Sequence, residues 1–367
     1  MHNFFLFDSM HKALYIFIVL IIPSSKLIAQ YDSAIQFKLT GYLESYYLHD
    51  PYQPANNESY PELFYNYHRS GEAQVNLALI KGTLKAQRIR SNFGIMTGSY
   101  ADKNLAHEPI ALRNIYEANA GIALDKRERI WLDIGVFESH LGSETPIGIQ
   151  SPTLSRSLFA ESSPYYLTGV KMSYQPKNEK WNFSLLHVNG WQKMYRPNSY
   201  SPLQFGTQIQ WKPQKNITIN HSTFIGSDKP DSLNKTRFFN DLYVIWKWSD
   251  KWKFHALFDI GMDQTINHNW FTANLSIQHQ FKPKWSCTIR AEYFEDPKEI
   301  IIQSPPQTEG FKTYSTSLNV DYKIIKQAMF RLESKFLTST DYVFQKNEQE
   351  LSNGALLFYA SLCILID

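Results

Sequence analysis

The stretch IQFKLTGYLESYY at residues 35–47 places Ile35, Phe37, Leu39, Gly41, Leu43 and Tyr47 on one side. Gln36, Lys38, Thr40, Tyr42, Glu44 and Tyr46 fall on the other. Successive side chains of an extended chain point to opposite faces, so this period of two reads as a strand with one oily and one wet face. Residues 203–212 repeat the pattern, with Leu203, Phe205, Thr207, Ile209 and Trp211 against Gln204, Gly206, Gln208, Gln210 and Lys212. In 237–248, Phe238, Leu242, Val244, Trp246 and Trp248 oppose Arg237, Asp241, Tyr243 and Lys247.

Sixteen segments of this kind fall near 35–48, 72–86, 87–98, 116–124, 130–140, 164–175, 181–192, 203–212, 216–226, 236–248, 251–263, 268–281, 285–295, 310–323, 328–338 and 353–366. Seven tight turns, such as 125–129, 176–180 and 282–284, alternate strictly with eight longer connections, among them 49–71, 99–115 and 141–163. An up-and-down sheet whose two rims face different compartments needs that alternation. A soluble sandwich has no reason to sort its loops by side, and no blade-length repeat of a propeller is present. The chain is therefore expected to be all-β: a transmembrane antiparallel up-and-down β-barrel of about 16 strands spanning 30–367.

Composition agrees. Of 367 residues 15% are aromatic and only 19% charged, yet mean hydropathy is negative, so aromatic rings are wanted at interfaces rather than in a large soluble core. Trp131, Trp181, Trp211, Trp248, Trp252 and Trp285 sit near the short turns, where a membrane-interface girdle is expected. The 37 basic and 34 acidic side chains nearly cancel without a basic block, which argues against a nucleic-acid partner. In lipid every backbone polar group must pair within the protein, and a closed sheet achieves this. A ring of sixteen strands is too wide for side chains to fill, so an aqueous lumen is expected unless a segment plugs it. The charged strand positions Arg88, Arg90, Asp133, Lys171, Arg290, Glu292, Arg331, Glu333 and Lys335 are costly against lipid and are assigned to the lumen wall.

Ahead of the barrel, LYIFIVLII at 14–22 follows Lys12 and is too short to span a bilayer. It reads as the core of a cleaved signal peptide over residues 1–29, with Met10 as an alternative start. Cys287 and Cys363 cannot form a disulfide framework. They lie on the thirteenth and sixteenth segments, three strand spacings apart and beyond disulfide reach.

GYLESYY at 41–47, FYNYHRSGEAQVNLALIKG at 64–82, EPIALRNIYEANAGIAL at 108–124, WLDIGVFESHLG at 131–142, TLSRSLFAESSPYYLTGVK at 153–171 and NGWQ at 189–192 resemble the OmpL-like porin-2 group of β-barrel porins from Bacteroidetes-type outer membranes. The resemblance lies in the first half of the chain and implies an outer-membrane barrel without a defined substrate. The ending Ile364, Leu365, Ile366, Asp367 departs from the aromatic terminus common among such barrels.

The function expected is a passive or weakly selective diffusion channel for small hydrophilic solutes in the outer membrane. Its partners would be outer-membrane lipid, those solutes and the barrel-assembly machinery, and a homo-oligomer is compatible with the fold. The third long loop, 141–163, can fold into the lumen, and Glu144, Arg156 and Glu161 are its candidate constriction residues, since opposed charges set which solutes pass. Alternatively Arg156 and Glu161 pair to hold the loop against the wall. Tyr60, Phe64, Tyr65 and Tyr67, with His68 and Arg69, form an aromatic string in the first loop that suits rim packing better than sugar stacking. His107 and Glu108 read as a solvated pair rather than metal ligands. Hydrolase, nucleotide-binding and metal motifs are lacking, so neither a catalytic site nor a cofactor is expected. The alternatives are a barrel enzyme of phospholipase or esterase type and a non-conducting adhesin or structural barrel.

Overall fold

The computed structural model describes residues 35–367 apart from 53–57, 59–63, 201–203, 228–235, 265–267, 306–307 and 348–349. The signal-peptide reading of 1–29, together with Tyr60 and Leu203, lies outside the described residues. Sixteen strands close a barrel: β1 Gln36–His49, β2 Ala73–Ala86, β3 Ile89–Thr97, β4 Ile115–Ala123, β5 Ile130–Glu138, β6 Tyr166–Tyr174, β7 Trp181–Val188, β8 Phe205–Trp211, β9 Ile217–Gly226, β10 Arg237–Lys247, β11 Trp252–Asp263, β12 His268–Lys282, β13 Trp285–Asp296, β14 Phe311–Ile325, β15 Ala328–Ser339 and β16 Gly354–Ile366. Each pairs antiparallel with its sequence neighbours, and β16 closes on β1 with Gly41 opposite Ile366 and His49 opposite Phe358. The terminal Asp367 reaches back to Lys38 at 3.2 Å. No helix among the described residues is long and apolar enough to cross a membrane.

Alternation along each strand sets the two faces. Phe37 (67% exposed), Leu39 and Leu43 project outward from β1, whereas Tyr42, Glu44 and Tyr46 point inward and are buried. Outward rings stack near the short-turn rim, as in Trp181 on Trp211 at 5.3 Å between centroids. Trp131 departs from the expected girdle: it faces the lumen, donates from Nε1 to Glu128 O and stacks beneath Arg90. Its place on an inward β5 position overrides its nearness to the turn. Both thiols are free, Cys287 on β13 and Cys363 buried on β16.

Apolar burial occurs inside the barrel. Leu154, Leu158 and Phe159 of the connection between β5 and β6 pack into one cluster with Leu48, Tyr67, Phe344 and Leu357. The lumen of this barrel thus carries the packed core that a soluble protein forms between layers.

Candidate functional site

The connection from Ser139 to Tyr165 enters the lumen and stays there. It begins with a reversal at Gly142 (φ 74), where a side chain would meet the ring of Phe159. A turn of 3₁₀ helix at Gly148–Gln150 carries the tip past β1, close enough that a Cβ on Gly148 would stand 2.5 Å from Glu44 Oε1. The returning limb winds into α1, Leu158–Glu161, capped by Ser157, whose Oγ accepts from Ala160 N.

A non-repetitive segment sunk in a lumen must satisfy its own backbone, and here the wall supplies the partners. Asn319 Oδ1 accepts from Leu154 N at 3.0 Å. Glu333 takes both Ser155 N and Ser155 Oγ at 2.6 Å, and Glu292 takes Leu158 N at 2.6 Å. Arg290 donates to Thr153 Oγ1, and to Ser155 O and Ser155 Oγ at 2.8 Å. Arg331, paired with Asp321 at 2.7 Å, donates to Gly148 O at 2.7 Å and Ser151 O at 3.2 Å. Lys335 donates to Arg156 O at 3.1 Å and lies 3.3 Å from Glu292. On the other flank His140 Nε2 donates to Thr223 O at 2.8 Å, and Gly142 N donates to Asp241. The plug is therefore fastened chiefly to β9, β10 and β13–β15, with further bonds to β8 through Gln208, to β11 through His255 and to β1 through Tyr42.

Neither Arg156 (1% exposed) nor Glu161 (2%) faces water, and they do not pair with each other. Arg156 donates to Thr145 O, Leu154 O and Pro146 O, which folds the loop on itself. Glu161 accepts from Tyr65 N, Asn66 N and Asn66 Nδ2, tying the plug to the first loop. Glu144 is buried and accepts from Ser157 N. Burial raises the Glu161 carboxyl to about 7, with the Tyr65 and Asn66 donors opposing the shift. The same cause lowers His140 to about 4, opposed by its bond to Thr223.

The charged strand residues separate into two groups. Arg290, Glu292, Arg331, Glu333 and Lys335 point inward from β13 and β15 and are spent on the plug. Arg90 on β3 and Asp133 on β5 form a two-pronged pair, Nε to Oδ1 at 2.7 Å and Nη2 to Oδ2 at 2.5 Å, with the Arg90 side chain 33% exposed. Lys81 on β2 (21% exposed) pairs with Glu117 on β4, and Lys171 on β6 lies over Phe137, 4.7 Å from the ring centroid. Between these run the bonds Thr83 to Asn92 and Asn92 to Asn119. Arg88 is not on the strand wall: it occupies the β2–β3 turn at φ 59 and donates to Ala123 O, because the tight reversal takes that position out of the ladder.

Two carboxylates carry structural roles their sequence context does not announce. Glu44 accepts from Tyr67 OH at 2.8 Å and from Asn76 Nδ2, which seats the first loop. Glu108, expected in a solvated pair, is buried instead and accepts from Tyr166 OH, Met194 N and Tyr195 N. Glu44 carried one signal, a lone acid on the wet face of β1; Glu108 sits in a loop with no period to place it. A serine and a histidine do meet, Ser143 Oγ and His255 Nε2 at 2.6 Å, but His255 is buried inside the lumen rather than on the outer surface. Among the described residues no cluster of metal-ligating side chains occurs.

Solved structures with the same architecture include a porin and an outer membrane channel. The chain is similar to an anion-selective porin from Comamonas acidovorans, at 8% identity and TM-score 0.57, covering 90% of this chain and all of that one. It is similar to the outer membrane channel DcaP of Acinetobacter baumannii at 12% identity and TM-score 0.60, covering 91% of this chain and 98% of that one. A trimer form of the Vibrio cholerae outer membrane protein OmpT matches at 7% identity and TM-score 0.56, over 91% of this chain and all of that one. At such identities the likeness establishes the fold. No curated protein matches the chain in sequence. A family model covers residues 36–365, from the first residue of β1 to within one residue of the end of β16, and with the closed sixteen-strand sheet it places this outer-membrane barrel in the family described as "Putative beta-barrel porin-2, OmpL-like".

Proposed function

We propose that the protein is a passive, weakly selective diffusion channel for small hydrophilic solutes whose route follows the β2–β6 side of the lumen. The supporting observation is the sorting of wall charge by exposure. Arg290, Arg331 and Lys335 have side chains 0–1% exposed and bound to the plug, whereas Lys81 and Arg90 are 21% and 33% exposed. The charges exposed on that side are the cations Lys81 and Arg90, each held by a buried acid, Glu117 or Asp133, and the Thr83–Asn92–Asn119 ladder adds hydrogen-bonding groups. Such a wall replaces water around a hydrated solute without holding it. In this reading the plug sets the bore by its bulk, and Glu144, Arg156 and Glu161 hold its shape.

Conductance in planar bilayers tests the proposal. The wild type is expected to pass salt with weak ion preference, and Arg90→Gln, which removes an exposed positive charge from the route, is expected to shift the reversal potential toward cations. An unchanged reversal potential would move the route elsewhere, and absence of current would favour the adhesin or structural barrel. Cleavage of residues 1–29 on export and association of identical copies belong to the same proposal; the N-terminal sequence of the mature protein and native mass spectrometry in detergent read them.

A further inference from the structure

Beneath the plug tip, at the short-turn rim, lies a cavity of about 340 Å³ between residues 149–152 and the ends of β10–β15. Five lysines line it: Lys247, Lys251, Lys253, Lys284 and Lys323. The acids on its walls are Asp250 and Asp321, so the lining carries five positive and two negative charges, a net +3 equal to that of the whole chain. Both acids are engaged already, Asp250 by Lys247 at 2.8 Å and Asp321 by Arg331 at 2.7 Å. Lys284 donates to Ile324 O at 3.0 Å. No acidic partner meets the ammonium groups of Lys251, Lys253 and Lys323 among the described residues.

The plug adds an independent sign. Ser151 lines the cavity, is 7% exposed, and its Oγ has no hydrogen-bond partner. A buried hydroxyl without a partner beside uncompensated ammonium groups is a donor set lacking its acceptor. Gln278, Gln280 and Ser286 project from the adjoining strands with further polar groups. Lysines on turns alone would be solvated rim charge. Lys253 and Lys323 instead occupy inward strand positions, in register with the lumen-facing His255 and Asp321.

We infer that this cavity is a binding site for a small soluble polyanion bearing phosphate or carboxylate groups, seated between the plug tip and the basic ends of β10–β15. The ligand would approach from the short-turn side, with Lys251, Lys253 and Lys323 supplying charge and Ser151 a directional hydrogen bond. Several lysines at a partly wet mouth give attraction that salt screens, so affinity should fall as ionic strength rises. The site goes beyond the diffusion reading, and equilibrium binding tests it without any current.

Pyrophosphate titrated calorimetrically into the full barrel in phosphatidylcholine nanodiscs is expected to bind saturably, with one site per chain. Lys253→Gln combined with Lys323→Gln should weaken it about tenfold or more, Ser151→Ala should weaken it less, and Lys126→Gln in the β4–β5 turn should leave it unchanged. Absence of saturable binding, undiminished binding in the double variant, or an equal loss from Lys126→Gln would each overturn the site. Phosphatidylglycerol nanodiscs separate the sources: loss of pyrophosphate binding there would give the site to lipid headgroups and overturn the soluble ligand.

Discussion

Arg290 concentrates the energetics of the plug in one side chain. It lies 2.9 Å from Glu292 and 3.4 Å from Glu333, while its remaining N–H groups hold Thr153 and Ser155. Removing one member of a buried charge network strands the others, so Arg290→Met is expected to cost about 3–5 kcal/mol in docking the plug. Removing Arg290 and Glu333 together should cost far less; hydrogen exchange of the plug amides reads the difference. Two titrating residues of the same loop act in opposite directions. Glu161 is raised from 4.5 to about 7, so its contribution is full below pH 4.5 and is lost as pH rises through 7. His140 is lowered from 6.5 to about 4, so its contribution is full above pH 6.5 and is lost as pH falls through 4. Where the windows overlap the two slopes cancel. Between pH 4.5 and 6.5 the contributions of these two residues to stability should therefore offset one another, and thermal unfolding of the wild type compared with Glu161→Gln and His140→Gln reads each slope. Relative to the wild type, Glu161→Gln should lose stability on acidification from pH 7 to 4.5 by on the order of 3 kcal/mol.

At the level of the strand, alternation decides what each face tolerates. Ile289 of β13 is 60% exposed on the outward face, opposite Leu318 of β14, while its neighbour Arg290 is fully buried. A charge at an outward midplane position costs about 2–4 kcal/mol, so Ile289→Lys should lower folding stability in lipid vesicles by that amount, measured by denaturant titration. Gly135 of β5 has φ 130, and a Cβ there would stand 2.1 Å from Ala118 O on β4. Gly135→Ala is expected to disturb the β4–β5 ladder beside Asp133 and to lower stability by more than about 1 kcal/mol.

Across the whole barrel the plug and the wall behave as one body. Each wall anchor is a side chain on a closed sheet, so the sheet positions the loop and the loop fills a ring too wide for side chains alone. Replacing residues 144–157 by a short glycine linker should leave the barrel folded and raise single-channel conductance severalfold by opening the β9–β16 side. An unchanged conductance would mean that the plug does not set the bore.

Strand number and the facing of most strand residues followed from the sequence because a period of two is a local property and lipid outside with polar groups inside enforces it along every strand, whereas the pairing register and the inward turn of Trp131 came from the fold. The third loop could be picked out by its length and its charged residues for the same reason. Which charges line water and which are buried could not be read locally. Arg90 and Arg290 occupy equivalent inward positions, one 33% exposed at its side chain and the other 0%, because the plug leans on β9, β10 and β13–β15 and away from β2–β6. That choice depends on contacts between residues more than a hundred positions apart, such as Ser155 with Glu333, so only the folded chain makes it. The sequence by itself determined a sixteen-stranded membrane barrel; the tertiary structure decided that the polar lining of β13–β15 holds the plug.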